Sequence, residues 1–388
     1  MRPRGWVQVA AFARPTVVTA RYRRQARPDV PSAAFAKHPE VRVRHRRARV
    51  PALVAGGMAF VLLTGCSSSS NSENLPTRDP AVAATAPTPT TTPAGEVTPL
   101  GTPIAGLFAE ASTGRLAALD ITNPKSSTLL VIDPAKLAGT PGVDAVSLPA
   151  PGVAISQGKP GEVLIPAAKR ILRVDLATRA VTEVPVAGDA RSVQYLDDGR
   201  LLVGTADGKV RTLSPQGAVV STVDGLASAD ALTYTDDRVT VLDRRQTSVT
   251  EIEPGKDGLG LSLRAGDGAT TMISDRFGRI LVTDTAGGEL LVFSAAPLVL
   301  RQRFPVNSSP YALAYDQRSD TVWVTCTQSN EVVGFDLSTG IPKEVGRYAT
   351  VRQPNSVTIE QRTGDMFVGS ATGDGLQRIR ADDRKRGH

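Results

Sequence analysis

The sequence contains very little of the chemistry on which most enzymes depend. Its 388 residues include three histidines, which are His38, His45 and His388. No histidine therefore lies between residues 46 and 387. Ser–His and Cys–His pairs for nucleophilic catalysis, and zinc sites built on histidine, are excluded from that whole stretch.

Cysteine is scarce as well, since Cys66 and Cys326 are the only two in the chain. No internal disulfide can form if Cys66 is consumed by another modification. A body of nearly 290 residues can bury enough apolar surface to fold without one. Cys326 falls on a predicted strand, so we expect a small buried residue there rather than a reactive thiol.

An excess of positive charge is missing from the chain after residue 65. The formal net charge is +7, but residues 1–50 hold 13 Arg or Lys against two acidic residues. Residues 51–65 are uncharged, which leaves 32 basic and 36 acidic residues from Cys66 onward. Binding to a phosphate backbone requires clustered positive charge on the folded domain. Nucleic acid is therefore not an expected partner.

Apolar runs long enough to span a membrane are absent too. The uncharged apolar run at residues 52–63 has twelve residues, whereas a transmembrane helix needs about 20. A block of five arginines precedes it, and small residues follow. This is the pattern of a secretory signal peptide. The leader before it is long for such a signal, so translation from Val41 or Val43 is an alternative start.

The apolar run ends in a short motif, Leu63, Thr64, Gly65 and Cys66, and four serines follow it. This ending resembles the lipobox of bacterial lipoproteins. The resemblance implies that the Cys66 thiol takes a diacylglyceryl group and that cleavage makes Cys66 the new N-terminus. Residues 1–65 would then be leader and signal peptide, and the protein would be anchored by lipid at the outer face of the cell membrane.

Residues 66–94 are predicted to be a disordered tether. In residues 67–102, 19 of 36 positions are Ser, Thr or Pro, and such a segment has too little apolar surface to fold. Pro-rich linkers extend by about 3.1 Å per residue, so this one would reach on the order of 100 Å. We expect it to hold the body away from the membrane.

A turn followed by a short strand of alternating apolar residues recurs seven times in the body. The copies begin at Gly114, Gly161, Gly199, Asp237, Gly278, Asp320 and Gly364. They are spaced 38 to 47 residues apart, and a second strand follows each one. Four short strands in a unit of about 40 residues are typical of a β-propeller blade. We therefore predict an all-β fold, a seven-bladed β-propeller over residues 95–381.

The last repeat is incomplete, because only a charged tail at residues 382–388 follows it. An open ring would leave unpaired backbone groups at its edge. We predict that a strand within residues 96–104 completes the last blade. Pro99 and Pro103 would confine that strand to an outer edge.

The repeat at residues 310–340 resembles those of the YVTN/NHL-type β-propellers. The likeness rests on its final residues, Phe335, Asp336, Ser338, Thr339 and Gly340. The motif, tether and body together resemble the LppL-type lipoproteins of mycobacteria, most densely at residues 246–250, 263–272, 300–302 and 353–356. This resemblance implies a lipid anchor and a propeller, and it implies no particular activity.

Two enzymatic hypotheses survive without histidine. Pro354, Asn355 and Ser356 partly resemble a carboxylate–amide calcium site found in some lactonase propellers, but Glu110 does not stand where that site requires a glutamate. Glycoside hydrolysis by a carboxylate pair has no support in the sequence. We expect no cofactor and no metal, and we do not expect an enzyme. A metal-dependent lactonase-like hydrolase is the alternative.

The binding hypothesis follows from the shape of a propeller, in which loops surround a central channel. The residues that lead into the innermost strands should line one mouth of that channel. They are Arg191, Asp230, Thr271, Tyr311 and Asn355. Their other interpretation is that of ordinary solvated loop ends. We predict a binding or scaffold module for an envelope protein or a small polar ligand.

Overall fold

The computed structural model describes residues 75–137, 142–235, 237–252 and 258–384. The predicted leader, its alternative start at Val41 or Val43, the lipidation site Cys66 and the tether up to residue 74 lie outside these ranges. Residues 385–388 of the predicted tail lie outside them as well. Within the described ranges, no helix is long and apolar enough to cross a membrane.

The described residues form strands in six sheets, with two short 3-10 helices at Pro134–Lys136 and Asp382–Arg384. The chain begins with β1 (Glu96–Thr98). The first sheet then contains β2 (Gly106–Ala109), β3 (Leu116–Asp120), β4 (Thr128–Ile132) and β5 (Val143–Ser147). The second contains β6 (Ser156–Gln157), β7 (Glu162–Asp175), β8 (Val181–Tyr195), β9 (Leu201–Thr205), β10 (Val210–Leu213) and β11 (Val219–Val223).

Four-stranded sheets make up the rest of the ring. The third contains β12 (Ala231–Thr235), β13 (Arg238–Asp243), β14 (Ser248–Ile252) and β15 (Leu259–Arg264). The fourth contains β16 (Ala269–Ser274), β17 (Arg279–Asp284), β18 (Glu289–Ala295) and β19 (Leu298–Pro305). The fifth contains β20 (Pro310–Asp316), β21 (Thr321–Cys326), β22 (Glu331–Asp336) and β23 (Lys343–Ala349). The sixth contains β24 (Pro354–Glu360), β25 (Asp365–Ser370), β26 (Leu376–Ile379) and β1.

The prediction of seven blades is wrong, because the described residues form six blade sheets. The repeats that begin at Gly161 and Gly199 share one six-stranded sheet. The physical reason is the length of β7 and β8, which have 14 and 15 residues. These strands pair with each other and continue through the region that the sequence pattern divides between two blades. Each of the other five sheets has four strands and carries one repeat.

Burial explains which strands appear as apolar runs. The middle strands β17, β21 and β25 are buried at almost every position, because both faces of each sheet pack against neighbouring sheets. The outer strands β15 and β23 are mostly exposed or half-buried. The apolar core therefore lies between adjacent sheets. Phe335, for example, is 2% exposed and meets Phe304 edge-on at 5.4 Å between ring centroids.

The innermost strands form the ring around the central axis. Strand β8 contacts β12, and the contacts continue through β16, β20 and β24 to β2. Strand β1 completes the sixth sheet by pairing antiparallel with β26, with Glu96 opposite Arg378 and Thr98 opposite Leu376. The predicted closing strand is therefore present. It has three residues and ends before Pro99.

The described part of the predicted tail packs against the body. The side chain of Arg384 is 3% exposed, and its guanidinium lies 3.4 Å from a carboxylate oxygen of Asp316. Its central carbon lies 5.1 Å from the ring centroid of Trp323. Arg384 thus packs against the fifth sheet, whereas Asp382 and Asp383 are exposed.

Closure by β1 predicts a specific sensitivity at Gly95. Gly95 and Gly101 have nearly the same backbone, with φ of +72° and +70°. A Cβ at Gly95 would lie 2.2 Å from the Arg378 carbonyl oxygen, whereas a Cβ at Gly101 would meet nothing within 4 Å. Both alanine variants carry a left-handed backbone cost of about 1–2 kcal/mol. We expect Gly95→Ala to lose about 2 kcal/mol more through collision.

The free energies of unfolding from urea titrations measure that difference directly. Gly101→Ala is the matched control, because it shares the backbone strain and lacks the collision. Equal losses in the two variants would contradict the closing contact.

Candidate functional site

Loops of two kinds gather on one face of the ring. Antiparallel strands alternate in direction, so the connection from the second to the third strand of a sheet lies on the same side as the connection to the next sheet. We call this side the loop face. The starts of the innermost strands, and with them all five predicted mouth residues, lie on it.

Four innermost strands carry a β-bulge at this end. The register shifts lie between Ala190 and Ser192, Ala269 and Thr271, Pro310 and Leu313, and Pro354 and Ser356. Bulges redirect side chains and are common beside functional sites. Arg191 and Asn355 are the extra residues of two bulges, and Thr271 and Tyr311 lie in the other two.

Hydrogen bonds between sheets fix these bulges. The Thr283 hydroxyl donates to the Tyr311 carbonyl oxygen at 2.8 Å, and the Ser192 hydroxyl donates to the Ala229 carbonyl oxygen at 2.9 Å. Gly204 makes room for the second contact, since a Cβ there would lie 2.4 Å from Ser192 Oγ. The bulges are therefore built into the packing of the ring.

The five predicted residues differ in their surroundings. Arg191 is exposed, and the other four are half-buried. Asp230 accepts hydrogen bonds from the Ser228 hydroxyl at 2.5 Å and from the Arg244 amide at 2.9 Å. Asn355 Oδ1 accepts from Gln353 Nε2 at 2.9 Å. Asp230 is thus engaged by its own loop and by the loop between β13 and β14, Asn355 is engaged by its own loop, and Arg191 offers an exposed side chain.

Residues 76–94 of the predicted tether lie on the loop face, which the sequence pattern did not predict; we call this segment the strap. The strap has no helix or strand, and it contacts loops of the third, fourth, fifth and sixth sheets. At its start, Arg78 donates from its amide to the Arg245 carbonyl oxygen and from its guanidinium to the Asp267 carbonyl oxygen, at 2.9 and 2.8 Å. At its end, the Ala94 amide donates to the Ala349 carbonyl oxygen at 2.9 Å.

Gln353 holds the middle of the strap. Its Nε2 donates to the Ala84 carbonyl oxygen at 2.9 Å, and its Oε1 accepts from the Ala86 amide at 2.8 Å. Asn330 adds a third contact by donating to the Pro87 carbonyl oxygen at 2.9 Å. Asn330 Oδ1 also accepts from the main-chain amide of Gln353 at 3.0 Å, so the Asn330 side chain fixes the backbone that carries the Gln353 side chain.

These contacts recognise the main chain of the strap. Arg244 likewise donates to the Ala81 carbonyl oxygen at 2.6 Å. The side chains of the strap matter mainly through their small size. Ala86 is 2% exposed, and a Cβ at Gly268 would lie 2.7 Å from the Ala81 Cβ. The loop face therefore binds an extended chain of small residues.

Sequence signals for the strap were present but ambiguous. Alanine and proline in residues 80–87 fit a free linker as well as a docked one. Gln353 adopts a left-handed backbone, with φ of +53°, and nothing in its neighbours Pro354 and Asn355 indicates a partner far away in the sequence. The contact joins residues separated by more than 260 positions, which is beyond what local patterns can predict.

Metal-ligating side chains and the one described cysteine, Cys326, are possible sources of catalytic chemistry. No group of three or more His, Cys, Asp or Glu side chains within the described ranges is placed to hold a metal ion. Cys326 is fully buried, and burial raises the pKa of its thiol from 9.0 to about 12. This thiol therefore stays protonated at neutral pH and out of reach of reagents.

Glu110, considered for the lactonase-like hypothesis, is a structural cap. Its carboxylate accepts hydrogen bonds from Ser112, from Thr113 at 2.6 Å to the hydroxyl, from the Gly161 amide at 3.1 Å and from Gln157 Nε2 at 3.0 Å. Burial alone would raise the pKa of Glu110. These hydrogen bonds outweigh burial and lower the pKa from 4.5 to about 2. Its oxygens are committed to two turns.

A small polar pocket of about 70 Å³ lies on the opposite face between the first and second sheets. Its charged lining residues are Arg115, Asp133, Lys136, Asp144 and Arg179. Arg179 pairs with Asp144, and Lys136 lies 3.3 Å from Asp133. The hydrogen bond and charge of Arg179 lower the pKa of Asp144. Opposite charges are thus largely paired within the pocket.

Comparison with known proteins defines the fold of this body. No family model matches the sequence, and no curated protein is similar enough to count as a relative. Solved structures do match. Streptogramin B lyase has 13% identity and a TM-score of 0.60, with 73% of this chain and 96% of that chain covered. Hydrazine synthase of Kuenenia stuttgartiensis has 11% identity and a TM-score of 0.62, with 76% and 99% covered.

A third similar structure is a catalytically inactive variant of virginiamycin B lyase from Staphylococcus aureus with quinupristin. It has 13% identity and a TM-score of 0.59, with 74% of this chain and 98% of that chain covered. At identities this low, the similarity shows the fold alone. The protein has a β-propeller body.

The Glu110 cap predicts a pH-dependent loss of stability. A group whose pKa is lowered on folding stabilises the protein above its unfolded pKa, near 4.5. That contribution is lost as the pH falls through the folded value of about 2. We expect Glu110→Gln to reduce the free energy of unfolding by about 3 kcal/mol at pH 7. The deficit should shrink as the pH falls from about 4.5 towards 2.

Urea unfolding of the variant and the wild type at several pH values measures this deficit. Glu96→Gln is the control, because Glu96 is an exposed partner of Arg380 and should change stability by at most about 0.5 kcal/mol. A Glu110→Gln deficit that does not depend on pH would disprove the cap.

Proposed function

We propose that the protein is a lipoprotein, anchored through Cys66 at the outer face of the cell membrane, whose propeller binds a partner in the envelope through the loop face. In this proposal it is an LppL-type lipoprotein, as the motif, tether and body suggest. Its role is binding or scaffolding rather than catalysis. The partner is an envelope protein or a small polar ligand.

The observation that carries the proposal is the strap. Gln353, Asn330 and Arg244 already hold an extended polypeptide on the loop face through its carbonyl and amide groups. Main-chain recognition of this kind does not depend on the sequence of the bound chain. The strap uses these groups, so a separate partner would bind the part of the loop face that the strap contacts leave open.

Arg191 is the best candidate for contact with a separate partner. It projects from a bulge in the second sheet, and the strap contacts described above lie on the third to sixth sheets. Arginine and tyrosine contribute strongly to binding energy at interfaces, and Tyr311 lies half-buried on the same face. Asp230 adds the opposite charge, so the set suits a neutral or zwitterionic ligand better than a polyanion.

Transfer of lyase activity from the similar structures has little support. The inactive virginiamycin B lyase is a variant in which one histidine is replaced by alanine. This chain has no histidine between residues 46 and 387. The lactonase-like alternative lacks the glutamate that its calcium site requires, and Glu110, which does not stand at that place, is used as a structural cap.

Site-specific crosslinking tests the binding proposal. A photo-crosslinking amino acid at position 191 probes the loop-face start of the β8 segment that pairs with β9, Ala190–Tyr195. The same probe at Asp197 lies just beyond the other end of that segment. Both native residues are exposed. We expect illumination of intact cells to give a discrete adduct at 191 but not at 197, whether the bound species is a protein or a small molecule. Tyr311→Ala should weaken that adduct without loss of folding.

The result that would contradict the proposal is equally clear. Identical adducts at both positions would indicate random collision, and the absence of an adduct at 191 would exclude this mouth as the binding site. Intact mass distinguishes a protein adduct from a small one.

A further inference from the structure

We infer that the loop face of the propeller is turned towards the membrane that carries the protein's own anchor, and that exposed apolar side chains on this face contact the lipid surface. This inference rests on the proposed lipid anchor at Cys66. It also narrows the partner in that proposal to a molecule in the membrane or very close to it.

The chain leaves the body on the loop face. The Arg78 amide and guanidinium are held by the carbonyl oxygens of Arg245 and Asp267 on the loop face. The Arg245 side chain adds a contact of 3.4 Å to the Thr77 hydroxyl. The part of the chain that leads to Cys66 therefore begins on the loop face, over the third and fourth sheets.

Only a short length of chain joins Cys66 to the part that lies against the body. The chain is first held at Thr77 and Arg78, so residues 67–76, ten in all, separate Cys66 from the first held residue. They allow Cys66 to lie at most about 40 Å from Thr77, since a chain extends by no more than roughly 3.3–3.6 Å per residue. The composition of the predicted tether suggests a reach on the order of 100 Å. That reach does not apply, because residues 76–94 lie against the body.

The reach of this chain is limited relative to the dimensions of the body. Strands of five to seven residues, such as β12 and β20, separate the two faces by about 20 Å. Passing outward over two further strands adds about 10 Å. A path from the exit point to the opposite face thus takes about three quarters of the fully extended tether. The loop face needs none of that extension, and stretching a flexible chain costs conformational entropy, so the tether favours the loop face.

The loop face presents exposed apolar side chains. Val82 of the strap is 75% exposed, and Ile121 and Val153 are each 49% exposed. Ile121 follows β3 and Val153 lies between β5 and β6, so both belong to the loop face. The opposite face has exposed apolar residues too, namely Phe277 and Ile341. The exposure of apolar residues therefore does not by itself indicate which face meets the lipid. The short tether indicates the loop face.

A fluorescence experiment on the lipidated full-length chain tests this orientation. Single cysteines replace Val82 or Ile121 on the loop face and, as the matched control, Ile341 on the other face, which is 72% exposed. Native Cys326 is fully buried, so a thiol-reactive dye labels the introduced site. Each protein is reconstituted into phosphatidylcholine–phosphatidylglycerol vesicles that contain a lipid with a short-range quencher on its headgroup.

We expect the dyes at positions 82 and 121 to be quenched several-fold more strongly than the dye at 341. Equal quenching on the two faces, or stronger quenching at 341, would overturn the inference. Unquenched dye on both faces of vesicle-bound protein would also overturn the inference. That result is expected of a body that stands clear of the lipid or is covered by a soluble partner.

Flotation of the vesicles separates this inference from the proposed anchor. Wild-type protein should float with the vesicles, and Cys66→Ser should not. If wild type fails to float, the anchor is wrong and the inference falls with it. If wild type floats and quenching is the same on both faces, the anchor stands and only the orientation is wrong.

Discussion

The closure of the ring and the position of the strap both depend on one buried side chain. Gln377 in β26 has no exposed surface, and each polar atom of its amide is used. Its Nε2 donates to the carbonyl oxygens of Ala94 and Ala349 at 2.7 and 2.9 Å, and its Oε1 accepts from the Val351 amide at 3.0 Å. A buried amide left unpaired is costly. The closing strand, the fifth sheet and the end of the strap are therefore fixed together.

This linkage gives the N-terminal segment two structural roles. Strand β1 closes the sixth sheet, and the strap before it crosses the loop face on hydrogen bonds from Gln353, Asn330 and Arg244. The segment consequently sets where the chain leaves the propeller. In the proposed lipoprotein it would also set how far the body stands from the membrane. Binding and orientation then share one surface.

The sequence was a good guide to local structure and a poor one to long-range contacts. Alternating apolar residues after turns such as Gly278 and Gly364 predicted strands that the structure contains, because that pattern reflects packing between sheets. The blade count was wrong because β7 and β8 cross the boundary between two repeats. The strap was missed because most of its residues are small and its partners hold it mainly through its main chain. Burial of Arg384 was missed because Trp323 and Asp316 are distant in the sequence.

Hydrogen exchange of the strap amides tests the central claim most directly. The Ala86 amide donates to Gln353 Oε1, and the Ala94 amide donates to the Ala349 carbonyl oxygen. Both amides should exchange slowly in the full-length protein. Gln353→Ala should speed exchange at Ala86 about tenfold, as expected for loss of about 1.4 kcal/mol, and should leave Ala94 unchanged. Exchange of the Ala86 amide at the rate of an unstructured peptide in the wild-type protein would contradict the account.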